Sequence, residues 1–214
     1  MDPRNTLMDA RRPGIAALLE RGFTDTAGVL AGIDGSGWAV PSPCTGWTVR
    51  QVGNHLTGSI ALLTRVVDGG PVEPAEFDGQ RLADTDHLGA DAVGSFRGVA
   101  ERAVAAFARP DTLDRRFGYP QPDTPGVVLA NICLLEALVH GWDVATGAGV
   151  GYRPDGTVVA AVREFTAMAI GDQQRRHGLF GPALAVGPDA DPLTVTLGHL
   201  GRGHLGRGHL GREA

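Results

Sequence analysis

Cysteine is scarce: Cys44 and Cys133 are the only two in 214 residues, and no C-x-x-C pair occurs. A disulfide framework and a cysteine-rich zinc site are both excluded on that count. Both residues are expected as reduced thiols. Cys133 lies in an apolar run and reads as core packing, whereas Cys44 lies in a Pro-rich loop and reads as more exposed; neither is assigned a catalytic role. No run of about 18 apolar residues occurs, and the opening MDPRNTLMDARRP lacks the apolar stretch of a signal peptide. A cytoplasmic location without a membrane partner is therefore expected. A basic surplus is missing too. The formal net charge is -5 and the sequence pI is near 5.8, which gives no electrostatic reason to expect nucleic acid or an anionic membrane. The expected partner is a small-molecule substrate, bound by a monomer or homodimer.

Strand-type alternation is also lacking, and helical periodicity takes its place. Ile15, Leu18, Leu19, Phe23, Leu30 and Ile33 mark a first helix from about residue 9 to 33. Thr48 followed by Gln51 is a capping box, which Trp47 and Val52 can staple. Val49, Val52, Leu56, Ile60, Leu63 and Val67 then predict a second helix to about Asp68, ended by Gly69 and Gly70. A polar loop over 69–88 follows. Val93, Phe96, Ala100, Val104 and Phe107 give a third helix that stops at Pro110. After a second long loop, Thr124 and Pro125 read as an N-cap and a first-turn proline. The fourth helix would then bury Val128, Ile132, Leu135, Val139 and Trp142 and stop at Gly147 or Gly149. A fifth begins near Asp155 or Thr157. The fold class expected is all-α, one bundle domain over 1–197. Over 198–214 the pentapeptide GHLGR occurs three times. Units so short and so poor in leucine cannot form a solenoid, so a tail is expected.

Glu136 and His140 stand four apart on the fourth helix and share a face, with Asp143 one turn further on. By themselves they are an ordinary helical pair. His55, inside a second amphipathic helix beside Val52 and Leu56, changes that reading, because a buried imidazole needs partners for both ring nitrogens. Were the two helices neighbours, His55, Glu136 and His140 could hold one divalent metal. Three N/O ligands leave open positions, as catalytic sites do. His87, in a polar loop, and His177, in a basic run, read as solvated surface residues. His199, His204 and His209 belong to the repeat, whose metal binding at high concentration is a weaker reading than neutral expansion.

The segments P-C-T-G-W-T-V-R-Q-V-G-N-H (43–55) and E-A-L-V-H-G-W-D-V-A-T-G-A-G (136–149) resemble the actinobacterial DinB-like proteins related to the N-terminal domain of mycothiol-dependent maleylpyruvate isomerase. The resemblance covers roughly residues 8 to 200. It implies a DinB-like four-helix bundle, up-and-down with a long crossover, here with an additional helix and a short C-terminal extension. It also implies metal ligands at His55, Glu136 and His140. Zinc is the metal it favours, while nickel or iron also suits such donors. The implied activity is that of a metal-dependent transferase or isomerase that activates a low-molecular-weight thiol such as mycothiol for attack on a small electrophile. Asp143 would then orient a ligand or touch substrate, and Ser59, one turn past His55, would line the pocket. A thiol-independent hydrolase or cyclase and a non-catalytic metal- or ligand-binding bundle are the alternatives. One departure is expected: the isomerase adds a C-terminal domain for which the residues after the fifth helix are few.

Overall fold

The structure, a computed structural model, describes residues 14–119, 122–176 and 180–203. The chain is all-α, with four long helices: α1 (Ile15–Ala31), α2 (Val49–Val67), α4 (Ala92–Ala108) and α5 (Gly126–Ala148). Between α2 and α4 lie a 3-10 turn, Pro74–Phe77, and a short helix α3 (Gly79–Asp84), and a two-stranded ladder pairs β1 (Arg116–Phe117) with β2 (Thr124–Pro125). After them come α6 (Gly156–Ala169), α7 (Asp172–Arg176) and α8 (Pro192–His199). Two compact units meet in sequence at Val158–Val159. His177, His204 and His209, with all of the repeat beyond Gly203, fall outside the described residues.

In the first unit, α1 and α2 each pack on both α4 and α5, so the four helices surround one core. Named contacts set their directions. A Cβ on Gly22 of α1 would touch Leu134 of α5, and one on Gly32 would touch Val150, so α1 and α5 run parallel. Val49 of α2 lies against Gly147, while His55 lies near His140 and Glu136, so α2 and α5 run antiparallel. Gly53 lies against Leu88, just before α4, and Arg109, just after α4, pairs with Asp68 at 2.7 Å. Hence α2 and α4 are parallel. Parallel consecutive helices need a connection that returns along their length, and residues 69–91 provide it.

The core helix is α5. Leu129, Ala130, Cys133, Leu134, Ala137, Leu138 and Val144 are each 0% exposed. By length and composition α5 is the one helix among the described residues that could cross a membrane, but 78% of its most apolar window is buried in the bundle. A helix apolar all round is what the centre of a bundle requires. Its start differs from the sequence expectation. Thr124 pairs with Phe117 in the ladder and does not cap. The first N–H groups of α5 go instead to backbone carbonyls, Gly126 to Arg115 at 2.9 Å and Val127 to Leu113 at 3.0 Å. The requirement that orphan donors be satisfied is met by tertiary structure.

The polar stretch 69–88 likewise holds more structure than a loop. Asp78 caps α3 by accepting from Arg81 N at 2.8 Å, and Leu82 and Ala83 are buried. In the second unit the first repeat copy is folded: His199 ends α8, Leu200 is 1% exposed, and Leu184 N donates to Gly198 O at 2.8 Å.

Candidate metal centre

The start of α2 is fixed by the expected capping box, in which Thr48 accepts from Gln51 N at 3.3 Å and Gln51 Oε1 accepts from Thr48 N at 2.9 Å. This puts His55 in the second turn, on the side facing α5. Glu136 and His140 come from adjoining turns of α5. His55 Nε2 and His140 Nε2 each stand 3.5 Å from Glu136 Oε2, and the imidazole rings lie 4.9 Å apart, nearly edge to face. One ligand atom from each of the three lies within 4.8 Å of the others. All three side chains are largely buried, with 11–20% of their surface exposed.

The outer nitrogens give the tautomers. His55 Nδ1 lies 3.3 Å from the Gly79 carbonyl, and His140 Nδ1 lies 2.9 Å from Asp143 Oδ2. Both partners are acceptors, so each Nδ1 donates and each Nε2 is turned toward Glu136; in the neutral form of the rings it is a lone pair that faces the carboxylate. Two lone pairs and a carboxylate oxygen facing one another repel unless a cation lies among them. A proton on one imidazole can play that part, and so can a divalent metal. The donor set of two imidazoles and one carboxylate suits zinc, with room left for further ligands.

Of the remaining sequence candidates, Asp143 is 0% exposed and holds His140. Ser59 is buried in α2 and makes no side-chain hydrogen bond to the three among the described residues. His87 is not a solvated surface residue. Its backbone N–H and that of Leu88 donate to Asn54 Oδ1, each at 3.1 Å. Its ring presses on α2 at Gly58, where a Cβ would lie 2.6 Å from Nε2. Burial pushes its pKa down, Asp86 partly opposes this, and His55 adds to it.

Four residues around the centre lay outside the sequence reading of the site. Trp47, at the foot of the helix, lies with its ring 5.0 Å from that of His55, and its indole N–H donates to Gln80 at 2.9 Å. Phe77 stacks on Tyr119 with ring centroids 3.5 Å apart. Burial, and then the charge of Glu136, push the Tyr119 phenol up, so it stays a neutral donor. Cys44 donates to Asp143 Oδ2 at 3.2 Å, and Cys44, His140 and Asp143 form a second compact donor group. The available signal was that Cys44 and Trp47 belong to the same motif as His55. Cys133, by contrast, is fully buried in the core and its thiol is pushed far up by burial.

Comparison with known proteins agrees with this architecture. The family model described as the mycothiol maleylpyruvate isomerase N-terminal domain matches residues 19–145. Two uncharacterised proteins of Mycobacterium tuberculosis, from strains CDC 1551 and H37Rv, are each 27% identical over 176 residues, covering 80% of this chain and 90% of theirs. Among solved structures, a mycothiol-dependent maleylpyruvate isomerase is similar with a TM-score of 0.62 at 17% identity, covering 92% of both chains. A match of that extent reaches well past the bundle on both sides of the comparison. The residues after Val158 form a compact unit of their own.

Proposed function

This chain belongs to the mycothiol maleylpyruvate isomerase N-terminal domain family, and from that premise we propose that it is a metal-dependent transferase or isomerase of the cytoplasm, using a low-molecular-weight thiol such as mycothiol on a small electrophile. The observation that carries this reading is the convergence of His55 Nε2, His140 Nε2 and Glu136 Oε2 with both Nδ1 positions engaged by acceptors. These three residues would hold the metal, zinc in preference to nickel or iron. Bound there, a zinc ion would supply a Lewis acid that favours the thiolate form of a thiol near neutral pH.

The chain's own groups do the rest. Gly79 fixes the ring of His55 and Asp143 fixes that of His140, so neither ligand has to reorganise on binding. Trp47 flanks His55 with an apolar surface. The stacked Phe77 and Tyr119 add a second apolar face, and the Tyr119 phenol, which feels the charge of Glu136, stays a neutral hydroxyl donor. A phenol that stays protonated can donate to negative charge developing on a substrate oxygen.

The test is metal analysis of wild type beside His55→Ala, followed by turnover assays with a panel of small electrophiles in the presence and absence of the thiol. One metal per chain in wild type, lost in His55→Ala, with turnover that requires the thiol, is the expected outcome. Unchanged metal content in the variant refutes the site. Turnover without thiol refutes the thiol chemistry and favours direct metal-assisted hydrolysis or cyclisation.

A further inference from the structure

Besides the ligand cluster, the two segments that carry the family likeness also meet at Asp143 Oδ2. Asp143 Oδ2 accepts from His140 Nδ1 at 2.9 Å and from the Cys44 thiol at 3.2 Å. We propose that Cys44 is a positioning residue for the metal: its thiol sets the carboxylate of Asp143, and that carboxylate in turn aims Nε2 of His140 at His55 and Glu136. The inference rests on the reading of those three residues as ligands and adds to it a participant reached from a loop.

The loop presents Cys44 independently of Asp143. Ser42 N and Ser42 Oγ both donate to Trp47 O, at 2.9 and 2.8 Å, and Trp47 N returns to Cys44 O at 3.0 Å. Cys44 N donates to Ser42 Oγ at 3.2 Å, and Gly46 supplies the left-handed corner at φ 84°. The base of this turn is pressed against α5, because a Cβ on Gly147 would meet Pro41 O and Ser42 Cα at 3.1 Å. The thiol is therefore delivered to the buried carboxylate by a turn whose shape is set elsewhere. A carboxylate that accepts one N–H can still rotate about its Cβ–Cγ bond. A second donor on the same oxygen, from a residue 99 positions away, restrains that rotation.

The same atoms could be read as a separate metal site, since Cys44, His140 and Asp143 offer donor atoms within 4.8 Å. The hydrogen bond favours the positioning role. A His140 ring whose Nδ1 proton is given to Asp143 has no Nδ1 lone pair for a metal, while its Nε2 points to Glu136. Cys44 thus acts through Asp143 and does not ligate.

The experiment uses the purified full chain, with cobalt(II) alone as probe. Affinity is measured by competition with a chelator for wild type, Cys44→Ala, Cys44→Ser, Asp143→Asn and the Cys44→Ala/Asp143→Asn double variant. The melting temperature of each variant is recorded to confirm that it folds. Cys44→Ala is expected to weaken cobalt binding about tenfold, at the lower end of what loss of a ligand's supporting partner costs. Cys44→Ser, which keeps a donor on the same oxygen, should stay close to wild type. The double variant should bind no more weakly than Asp143→Asn, because Cys44 acts only through Asp143. Wild type should lack the near-ultraviolet sulfur-to-cobalt charge-transfer band. A charge-transfer band, additive losses in the double variant, or an unweakened Cys44→Ala overturns the inference while leaving the three ligands standing. A wild type that binds no cobalt overturns the ligand reading, and this inference with it.

Discussion

Metal binding to a site that exists only in the folded chain must raise its stability, and the size of the rise can be worked out. With free zinc at about 100 times its dissociation constant, mass action stabilises the native state by about 2.7 kcal/mol. The first compact unit ends at Val158, and in a domain of that size each kcal/mol moves the melting temperature by about 2–4 °C. A rise of about 5–11 °C in a thermal melt, followed by circular dichroism or calorimetry, is therefore expected for wild type. His55→Ala and Glu136→Gln each remove one of three donors and should lose most of the rise. Ser59→Ala should keep it, since Ser59 makes no hydrogen bond to the donors. The rise should shrink on acidification, because protons compete for the two imidazoles. A wild type whose melting temperature ignores zinc, or a His55→Ala protein that retains the full shift, refutes the reasoning.

Two further predictions concern the frame around the site. Gly126→Ala places a Cβ 2.0 Å from Thr112 O and 3.0 Å from its carbonyl carbon; backbone cannot yield as a side chain can. A loss of about 3 kcal/mol in urea unfolding is expected, and an unchanged midpoint would falsify the close approach of the 112–115 turn to α5. For His87 the sign follows from its lowered pKa. The unfolded chain takes up the proton first, near about pH 6.5, so the stability that His87 contributes is present above that pH and is lost as pH falls toward the lower folded value. His87→Gln should flatten the acid side of the stability profile, and an unaltered slope would show that the ring is solvated.

How much of this was legible in the sequence depended on where each element draws its stability. The helices α1, α2, α4 and α5 announce themselves because each pairs a long apolar stripe with a local stop or cap, and the Thr48–Gln51 box even fixes one boundary to the residue. The short α3 carries only Leu82 and Ala83 as buried residues. Six residues cannot hold a helix by themselves; α3 exists because it packs on α2, and no local pattern encodes that. The start of α5 misled for the same reason. Thr124–Pro125 has the chemistry of a cap, but carbonyls of Leu113 and Arg115 had already satisfied the N–H groups. In the site, His55 and the Glu136–His140 pair stood out as polar residues on apolar helices. Cys44, Gly79 and Tyr119 did not, because their roles come from loops whose placement periodicity does not report.

The topology explains why those loops end up where they do. With α2 and α4 parallel, the chain must travel back from Asp68 to the level of Asn54 before α4 can begin. On that return it passes along α2, and at each step it is fastened there: Gln80 to Trp47, Asp84 to Gln51, and the Ala83 carbonyl and the 87–88 amides to Asn54. The return path therefore runs over His55, and Gly79 meets its ring. A bundle of strictly alternating helices would have short hairpin loops at its ends and would leave the same imidazole facing solvent. The crossover that the helix directions demand is thus also what fixes His55 in the tautomer a metal requires.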